Sequence, residues 1–190
     1  MNFLESERLY FRAWDSSRDK EWYFAMHSDP KIFYNISKST FQPMKKDSVE
    51  PIIKEIETAL LEVVICKKSS LNATEDPPAS ESERIGILMI KNIPPSQVQN
   101  RCADLGVELR PDAQGQGYGT EVLCWVRNWA FNMANLHRVQ LEVYGWNEVA
   151  LKTYHRVGFQ EEGRLRKAVW RDGQWWDEIW MGVLQEEWSL

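Results

Sequence analysis

The sequence predicts an α/β (α+β) fold built on a mixed sheet of about seven strands, with helices on both faces. Two observations support this prediction. Strand-like and helix-like segments alternate through most of the 190 residues. The run Arg84–Lys91 is almost continuously apolar, which is typical of a strand that is covered on both faces. We expect one domain over residues 1–190, because this length suits a single hydrophobic core.

Before residue 84, the chain predicts two strands and two helices. Asp15 or Ser16 caps the first helix, and Ser28-Asp29-Pro30 ends it. Pro51 lies in the first turn of the second helix, where its missing N–H costs little. The segment 31–46 has a mixed pattern and predicts no element. The predicted strands are Arg8–Trp14 and Leu61–Lys67, and the predicted helices span 15–27 and 47–57.

Residues 69–83 form a polar, acidic segment that contains Pro77-Pro78. Such a composition predicts a flexible surface loop. We expect this loop to join two strands of one sheet and not to mark a domain boundary, because neither flank looks complete alone.

After residue 84, the pattern predicts five strands and two further helices. Apolar residues at helical spacing follow Tyr118, and Gly158 is a favourable residue for closing the last helix. Asp172-Gly173 between two alternating segments predicts a β-hairpin. The predicted strands are 84–91, 103–109, 138–144 and the two arms of 160–184, and the predicted helices are 118–135 and 148–157.

Composition narrows the classes of function. A formal net charge of -5 argues against nucleic acid as the main partner, since phosphate binding needs a basic face. The three cysteines and three histidines lack metal-ligand spacing, so we expect no metal and structural or surface roles for the histidines. With no apolar segment of membrane-spanning length and no signal-peptide core, we expect a cytoplasmic protein, with a nuclear location as the alternative.

A glycine-rich loop between a predicted strand and a predicted helix is the strongest functional signal. Helix-start N–H groups lack intrahelical partners and glycines let a ligand approach the backbone, so this arrangement predicts a phosphate site. The loop lacks the Gly-Lys-Ser/Thr of a Walker motif and has Gly-x-Gly-x-Gly where a Rossmann fingerprint has Gly-x-Gly-x-x-Gly. Kinase catalytic motifs are also missing from the sequence. The loop runs from Pro111 to Gly119.

Two ordered motifs resemble the GNAT superfamily of N-acetyltransferases. Gln114, Gly117 and Gly119 match the family's pyrophosphate loop, Gln/Arg-x-x-Gly-x-Gly/Ala. About thirty residues later, a second set is similar to the family's strand-Asn-helix-Tyr-Gly-Phe segment; it comprises Leu141-Glu142-Val143, Asn147, Ala150, Tyr154 and Gly158-Phe159. The opening, with Glu7-Arg8-Leu9 and Asp29-Pro30, resembles the branch named for ribosomal-protein N-terminal acetyltransferases (RimJ/RimL-like).

The resemblance implies a twisted, mostly antiparallel sheet and direct transfer of an acetyl group from acetyl-CoA to an amine. It implies that Val107, Glu108 and Leu109 lie beside the pantetheine arm on a splayed strand, and that Asn147 contacts the cofactor. The residues expected to bind the pyrophosphate are Gln114, Gly115, Gln116, Gly117, Tyr118, Gly119 and Thr120.

The chemistry requires an acid for the departing thiolate and a neutral amine. The resemblance places Tyr154 near the sulfur, where it could act as the acid, although a tyrosine facing a sheet is often only part of the core. A backbone N–H within Val107–Leu109 could stabilise the oxyanion. Glu142 and Glu108 are both candidates for the base, and exposed or ion-paired glutamates are the alternative for each.

The acceptor carries no readable motif. Because an α-amino group is far easier to neutralise at pH 7 than a lysine, we expect a peptide or protein N-terminus first and a small amine or polyamine second. Adjacent Trp175 and Trp176 on the last hairpin should face opposite sides of the sheet, so that one can line an acceptor groove and the other can pack the core. Packing of both rings, or a contact in a dimer, is the alternative. A non-catalytic module that binds acyl-CoA is the alternative function, and the chain could be a monomer or a homodimer.

Overall fold

The structure is a computed structural model that describes residues 3–68 and 84–189; the predicted loop at 69–83 lies outside the described residues. The strands are β1 (Leu9–Ala13), β2 (Leu61–Lys67), β3 (Arg84–Ile90), β4 (Cys102–Leu109), β5 (Arg138–Tyr144), β6 (Gln160–Arg171) and β7 (Gln174–Leu184). The helices are α1 (Ser16–His27), α2 (Pro30–Ile36), α3 (Glu50–Glu57), α4 (Tyr118–Asn132) and α5 (Glu148–Val157).

The strands form one twisted sheet in the order β1-β2-β3-β4-β5-β7-β6. Every neighbouring pair is antiparallel except β4 and β5, which run parallel. The predicted mixed, mostly antiparallel sheet of seven strands is therefore confirmed. The single parallel contact lies in the middle of the sheet and joins the two antiparallel halves.

Each face of the sheet has its own apolar core. One core packs beneath α4 and α5 and includes Val122, Val126 and Val157. The other packs beneath α1, α2 and α3 and includes Tyr23 and Ile53. Helices thus cover both faces, as predicted, and β3 is buried along almost its whole length.

Helix α2 is absent from the sequence-based prediction, which places only a helix stop at Ser28-Asp29-Pro30. The Asp29 carboxylate accepts a hydrogen bond from the Lys31 amide at 2.8 Å, and Pro30 occupies the first helical turn. A proline is well suited to that position because its missing N–H would be unpaired there anyway. The same three residues therefore end α1 and begin α2, and the predicted order lacks one helix.

A buried carboxylate fixes α1 to the sheet. The Asp19 side chain is fully buried and accepts hydrogen bonds from Arg12 of β1 at 2.6 and 2.7 Å and from Arg84 of β3 at 2.9 Å. Burial alone would raise the pKa of Asp19, but these hydrogen bonds outweigh it, and the pKa is lowered. The ionised carboxylate therefore anchors the helix that carries part of the site described below.

The predicted hairpin is confirmed at the end of the chain. Asp172 and Gly173 both have positive φ angles, 50° and 78°, as a two-residue turn between twisted strands requires. Trp175 is 55% exposed, whereas Trp176 is partly buried and lies edge-on to Trp146. Neither tryptophan belongs to the two apolar cores. No helix among residues 3–68 and 84–189 is both long and apolar enough to cross a membrane.

Candidate active site

The parallel strands β4 and β5 separate partway along their length. Their pairing runs only from Cys102↔Arg138 to Asp104↔Gln140, although β4 continues to Leu109 and β5 to Tyr144. On its other edge, β4 stays paired with β3 up to Leu109. A V-shaped gap therefore opens in the centre of the sheet, and β4 presents main-chain groups to it that β5 does not pair.

The glycine loop leads directly from this gap to α4. Gly115 and Gly117 have φ angles of 72° and 83°, a region that glycine adopts without the strain a side chain would add. Among the described residues, the six main-chain amides from Gly115 to Thr120 donate no hydrogen bond. The 15-residue helix α4 begins at Tyr118, so these donors coincide with the positive end of its dipole. The arrangement suits an anionic diphosphate.

Three predicted cofactor-binding side chains make hydrogen bonds within the protein. The Gln114 side chain donates to the Leu109 carbonyl oxygen at 2.9 Å, and that of Gln116 donates to the Asp112 carbonyl oxygen at 2.6 Å. The Asn147 side-chain oxygen accepts from the Ala150 amide at 3.2 Å and so caps α5. These side chains thus shape the loop and the helix start.

Two cations lie beside the loop. The Arg8 guanidinium lies 4.4 Å from the centre of the Tyr118 ring, and the Lys67 ammonium lies 5.1 Å from it. Arg8 also donates to the Gln116 carbonyl oxygen at 3.0 Å and to the Glu121 carboxylate at 2.8 Å. Arg8, which precedes β1, therefore fixes the loop against the first turn of α4 and adds positive charge next to it.

Tyr154 lies on α5 and packs against the core beneath α4 and α5. Its ring centre is 5.8 Å from that of Phe159, and no group among the described residues hydrogen-bonds its hydroxyl. Burial raises the pKa of the Tyr154 phenol to about 12. The residue is therefore protonated at neutral pH and able to donate a hydrogen bond to a ligand.

Val107, Leu109 and Tyr118 pack against the same core as Tyr154. Glu108 faces the opposite side of β4, because side chains alternate along a strand. Its carboxylate lies 2.8 Å from Nε2 of His27 and accepts a longer hydrogen bond, 3.4 Å, from the hydroxyl of Tyr23. The acid candidate and this base candidate therefore lie on opposite faces of the sheet.

Glu142 lies on β5, on the same side of the sheet as Glu108, in a cluster with one cation. The Lys38 ammonium is 3.7 Å from the carboxylate of Glu142 and 3.1 Å from that of Glu178, which is only 5% exposed. The hydrogen bond to Glu178 raises the pKa of Lys38, with further contributions from the charges of both glutamates. Burial, followed by the neighbouring Glu142, raises the pKa of Tyr144.

Four residues in these hydrogen bonds and ion pairs are not identified by sequence reasoning: Tyr23, His27, Lys38 and Glu178. The spacing of the histidines predicts only a structural or surface role for His27, and no motif includes Lys38 or Glu178. Lys38 follows α2, which the sequence does not predict, and Glu178 reaches the cluster because it pairs with Tyr144 across β5 and β7. No local pattern predicts such contacts between distant residues.

Within the described residues, no group of three or more His, Cys, Asp or Glu side chains could hold a metal ion.

Comparison with known proteins agrees with this geometry. Residues 8–160 match the family model described as "Acetyltransferase (GNAT) domain". The chain is 30% identical over 88 residues to a spermidine N(1)-acetyltransferase of Vibrio cholerae, which is 46% of this chain and 51% of that protein. It is 28% identical over 121 residues to the putative ribosomal N-acetyltransferase YdaF of Bacillus subtilis, which is 64% of each chain. The uncharacterized N-acetyltransferase YnaD of B. subtilis is 28% identical over 86 residues, 45% of this chain and 51% of that protein.

The chain thus spans about half the length of the first curated relatives it matches. Solved structures extend the likeness over almost the whole chain. The spermidine N-acetyltransferase from V. cholerae in complex with CoA and spermine superimposes with a TM-score of 0.74, at 21% identity, over 96% of this chain and 99% of that one. A GNAT-family acetyltransferase from Bacillus anthracis gives a TM-score of 0.72 at 18% identity, over 96% and 98%. At such identities the superpositions establish the fold.

Proposed function

The chain belongs to the GNAT acetyltransferase family, and we propose that it transfers the acetyl group of acetyl-CoA to a primary amine by direct attack in a ternary complex. The gap between β4 and β5 is the observation that supports this proposal most strongly. It opens beside the free amides of the glycine loop, and the acid candidate Tyr154 and the base candidate Glu108 lie on opposite faces of the sheet that it divides. A thioester lying in the gap would be accessible to an amine from the side of Glu108.

We assign cofactor binding to the main chain of the gap and the loop. The pantetheine arm would lie along Val107–Leu109, and the diphosphate would accept hydrogen bonds from the amides of Gly115–Thr120. Gln114 would support the loop through Leu109, and Asn147 would act through the start of α5 and its remaining amide N–H groups. Arg8 and Lys67 would add favourable charge beside the phosphates.

The proposed reaction forms a nitrogen–carbon bond and breaks the carbon–sulfur bond of the thioester. A main-chain N–H of Val107–Leu109 would stabilise charge on the carbonyl oxygen, an effect of about 3 kcal/mol in comparable sites. Tyr154 would donate its phenolic proton to the departing sulfur. The phenol pKa is about 12, against about 8.5 for a free thiol, so proton transfer from Tyr154 to a solvated thiolate is uphill by about 5 kcal/mol. The cost is smaller when the charge on the sulfur develops next to the phenol.

We propose Glu108 as the base in preference to Glu142. A base must be free to accept the proton of the incoming ammonium. Glu142 is already paired with the Lys38 ammonium, which it shares with the buried Glu178, so an incoming ammonium would have to compete with that cation. Glu108 is hydrogen-bonded by a histidine and a tyrosine, with no lysine or arginine paired to it among the described residues, and it lies on the strand that borders the gap.

For the acceptor, we propose a peptide or protein N-terminus first and a polyamine second. The N-terminal preference follows from the low cost of neutralising an α-amino group and from the resemblance to the RimJ/RimL-like branch. The polyamine alternative is supported by the three carboxylates Glu108, Glu142 and Glu178 on the acceptor side, which would attract a polycation. Among the relatives, one is named as a putative ribosomal N-acetyltransferase and another as a spermidine N(1)-acetyltransferase.

The test is acetyl-CoA turnover over a panel of peptides with free or blocked N-termini, spermidine and simple alkylamines, with acetylated product identified by mass spectrometry. We expect product on free amines only, and a large loss of kcat in Tyr154→Phe. Binding of CoA without product from any amine would contradict transfer and favour the non-catalytic acyl-CoA-binding module.

A further inference from the structure

The side chain of Glu108 is held by two buried residues of α1. Tyr23 and His27 are four residues apart, so they lie on the same face of the helix. They are 1% and 4% exposed, and their ring centres are 4.3 Å apart. His27 contacts one carboxylate oxygen of Glu108 and Tyr23 contacts the other. Both oxygens of a side chain at the central gap thus have a partner from the same helix.

The direction of these hydrogen bonds follows from the chemistry of the groups. An ionised carboxylate can only accept, so a neutral His27 must carry its proton on Nε2 to make the 2.8 Å contact. Burial, followed by the charge of Glu108, raises the pKa of Tyr23, so its hydroxyl stays protonated and donates. Two donors of fixed position hold the carboxylate in one orientation.

We infer that His27, assisted by Tyr23, is a positioning residue that directs the carboxylate of Glu108 toward the acceptor amine. This inference rests on the proposed function, in which Glu108 is the base. In the proton step, Glu108 takes one proton from the acceptor ammonium, while His27 and Tyr23 keep theirs and act only as hydrogen-bond donors. The orientation matters because a misplacement of about 1 Å at a reacting group can cost about a hundredfold in rate.

A purely structural role for the same contacts is the competing explanation. A buried polar cluster between α1 and β4 could serve only to stabilise the helix on the sheet. The two explanations differ in whether the loss of kcat on changing His27 depends on the presence of Glu108. A positioning residue loses its effect once Glu108 is no longer a base, whereas a structural residue does not. A double-mutant cycle on kcat separates them.

The experiment compares His27→Asn with His27→Gln, because the Gln amide can reach the position of Nε2 and the shorter Asn amide cannot. We expect His27→Asn to lower kcat about tenfold to a hundredfold, with the KM for acetyl-CoA unchanged, and His27→Gln to restore most of the rate. In the background of Glu108→Gln, His27→Asn should have almost no further effect. His137→Asn is the control, since His137 lies 3.5 Å from Glu186 and its side chain is 44% exposed.

Equal rates for the two His27 variants, or additive losses in the cycle, would overturn the inference. If His27→Asn does not fold, Tyr23→Phe replaces it in the same cycle, because it removes only the second donor. Additive losses in that second cycle would overturn the inference as well. A parent protein that acetylates no amine would contradict the proposed function instead, and the two failures can therefore be told apart.

Discussion

Gln140 donates a 2.7 Å hydrogen bond to the carboxylate of Asp104, and these two residues form the last pair of the parallel ladder between β4 and β5. The side-chain bond thus lies at the point where the two strands separate. It joins them across the narrow end of the gap, where their main-chain pairing stops. The position at which the sheet opens therefore coincides with a specific polar contact.

Asp104→Ala should weaken both the fold and cofactor binding. Loss of one partly buried hydrogen bond should lower the free energy of unfolding by about 1 kcal/mol. Because the width of the gap would then be less well defined, we expect a several-fold weaker Kd for CoA by calorimetry. Asn132→Ala, which removes an exposed side-chain hydrogen bond to Asn128, is the control. An unchanged CoA affinity despite lower stability would contradict a role in shaping the gap.

Gly119→Ala should weaken cofactor binding without lowering the stability of the fold. Gly119 lies in the first turn of α4 without a positive φ, and an added Cβ would meet Leu109 and Thr153 at ordinary distances of 3.7 and 3.8 Å. We therefore expect stability within about 0.5 kcal/mol of the parent, or slightly higher, since alanine favours helix. The proposed diphosphate site is formed by the main-chain amides of this turn, so we expect the added methyl group to crowd the bound ligand and the affinity for CoA to fall at least tenfold.

Gly163→Ala serves as the control for this change, because an added Cβ in β6 has its nearest contact at 4.0 Å and lies away from the loop. Urea unfolding and calorimetry on the two variants give the comparison. Equal CoA affinity in Gly119→Ala and the parent would show that the glycine is not needed for the ligand.

Tyr154 should remain protonated through the whole range in which activity is measured. Its phenol pKa is raised by burial to about 12, against 10.0 for an unperturbed tyrosine. The proton therefore stabilises the folded state fully below about pH 10, and this contribution is lost as the pH rises through about 12. In kcat/KM against pH, we expect no loss of activity from Tyr154 below about pH 11.

Tyr154→Phe should accordingly lower kcat by about a hundredfold at every pH between about 7 and 10, without changing the shape of the profile. Initial rates of CoA release, measured for both proteins across one buffer series, would give the two pH profiles. A basic limb near about pH 9 that is present in the parent and missing from the variant would contradict the high pKa of the phenol.

The local elements of the site can be predicted well from the sequence. The loop, the start of α4 and the closing residue of α5, Gly158, depend on residues that are close in the chain, and glycine patterns identify them. The alternation of β7 and the Asp172-Gly173 turn are local signals too. Predictions about these elements therefore need no knowledge of the packing.

The contacts that distinguish the two glutamates cannot be predicted in this way. His27 meets Glu108 across 81 positions and Lys38 meets Glu178 across 140. Such contacts depend on how α1 and the segment after α2 pack on the sheet, and residues 31–46 have no clear periodicity. In the sequence, Glu108 and Glu142 are therefore equal candidates, and their different neighbours become evident only in the folded chain.

Arg171 should contribute more to binding of the acceptor amine than to binding of the cofactor. Its guanidinium donates to the carbonyl oxygens of Tyr34, Ser37 and Ser39 at 2.9, 2.7 and 3.1 Å and lies over the rings of Tyr34 and Trp146. The hairpin thereby fixes the segment that places Lys38 beside Glu142.

Because lysine cannot reproduce a planar fork of donors, Arg171→Lys should lower the free energy of unfolding by about 2 kcal/mol. We also expect the KM for the amine to rise several-fold while the KM for acetyl-CoA stays constant, as steady-state kinetics with each substrate varied would show. Arg166→Lys, on the exposed part of β6, should change neither constant. Equal effects on both constants in Arg171→Lys would mean that the segment after α2 does not belong to the acceptor side.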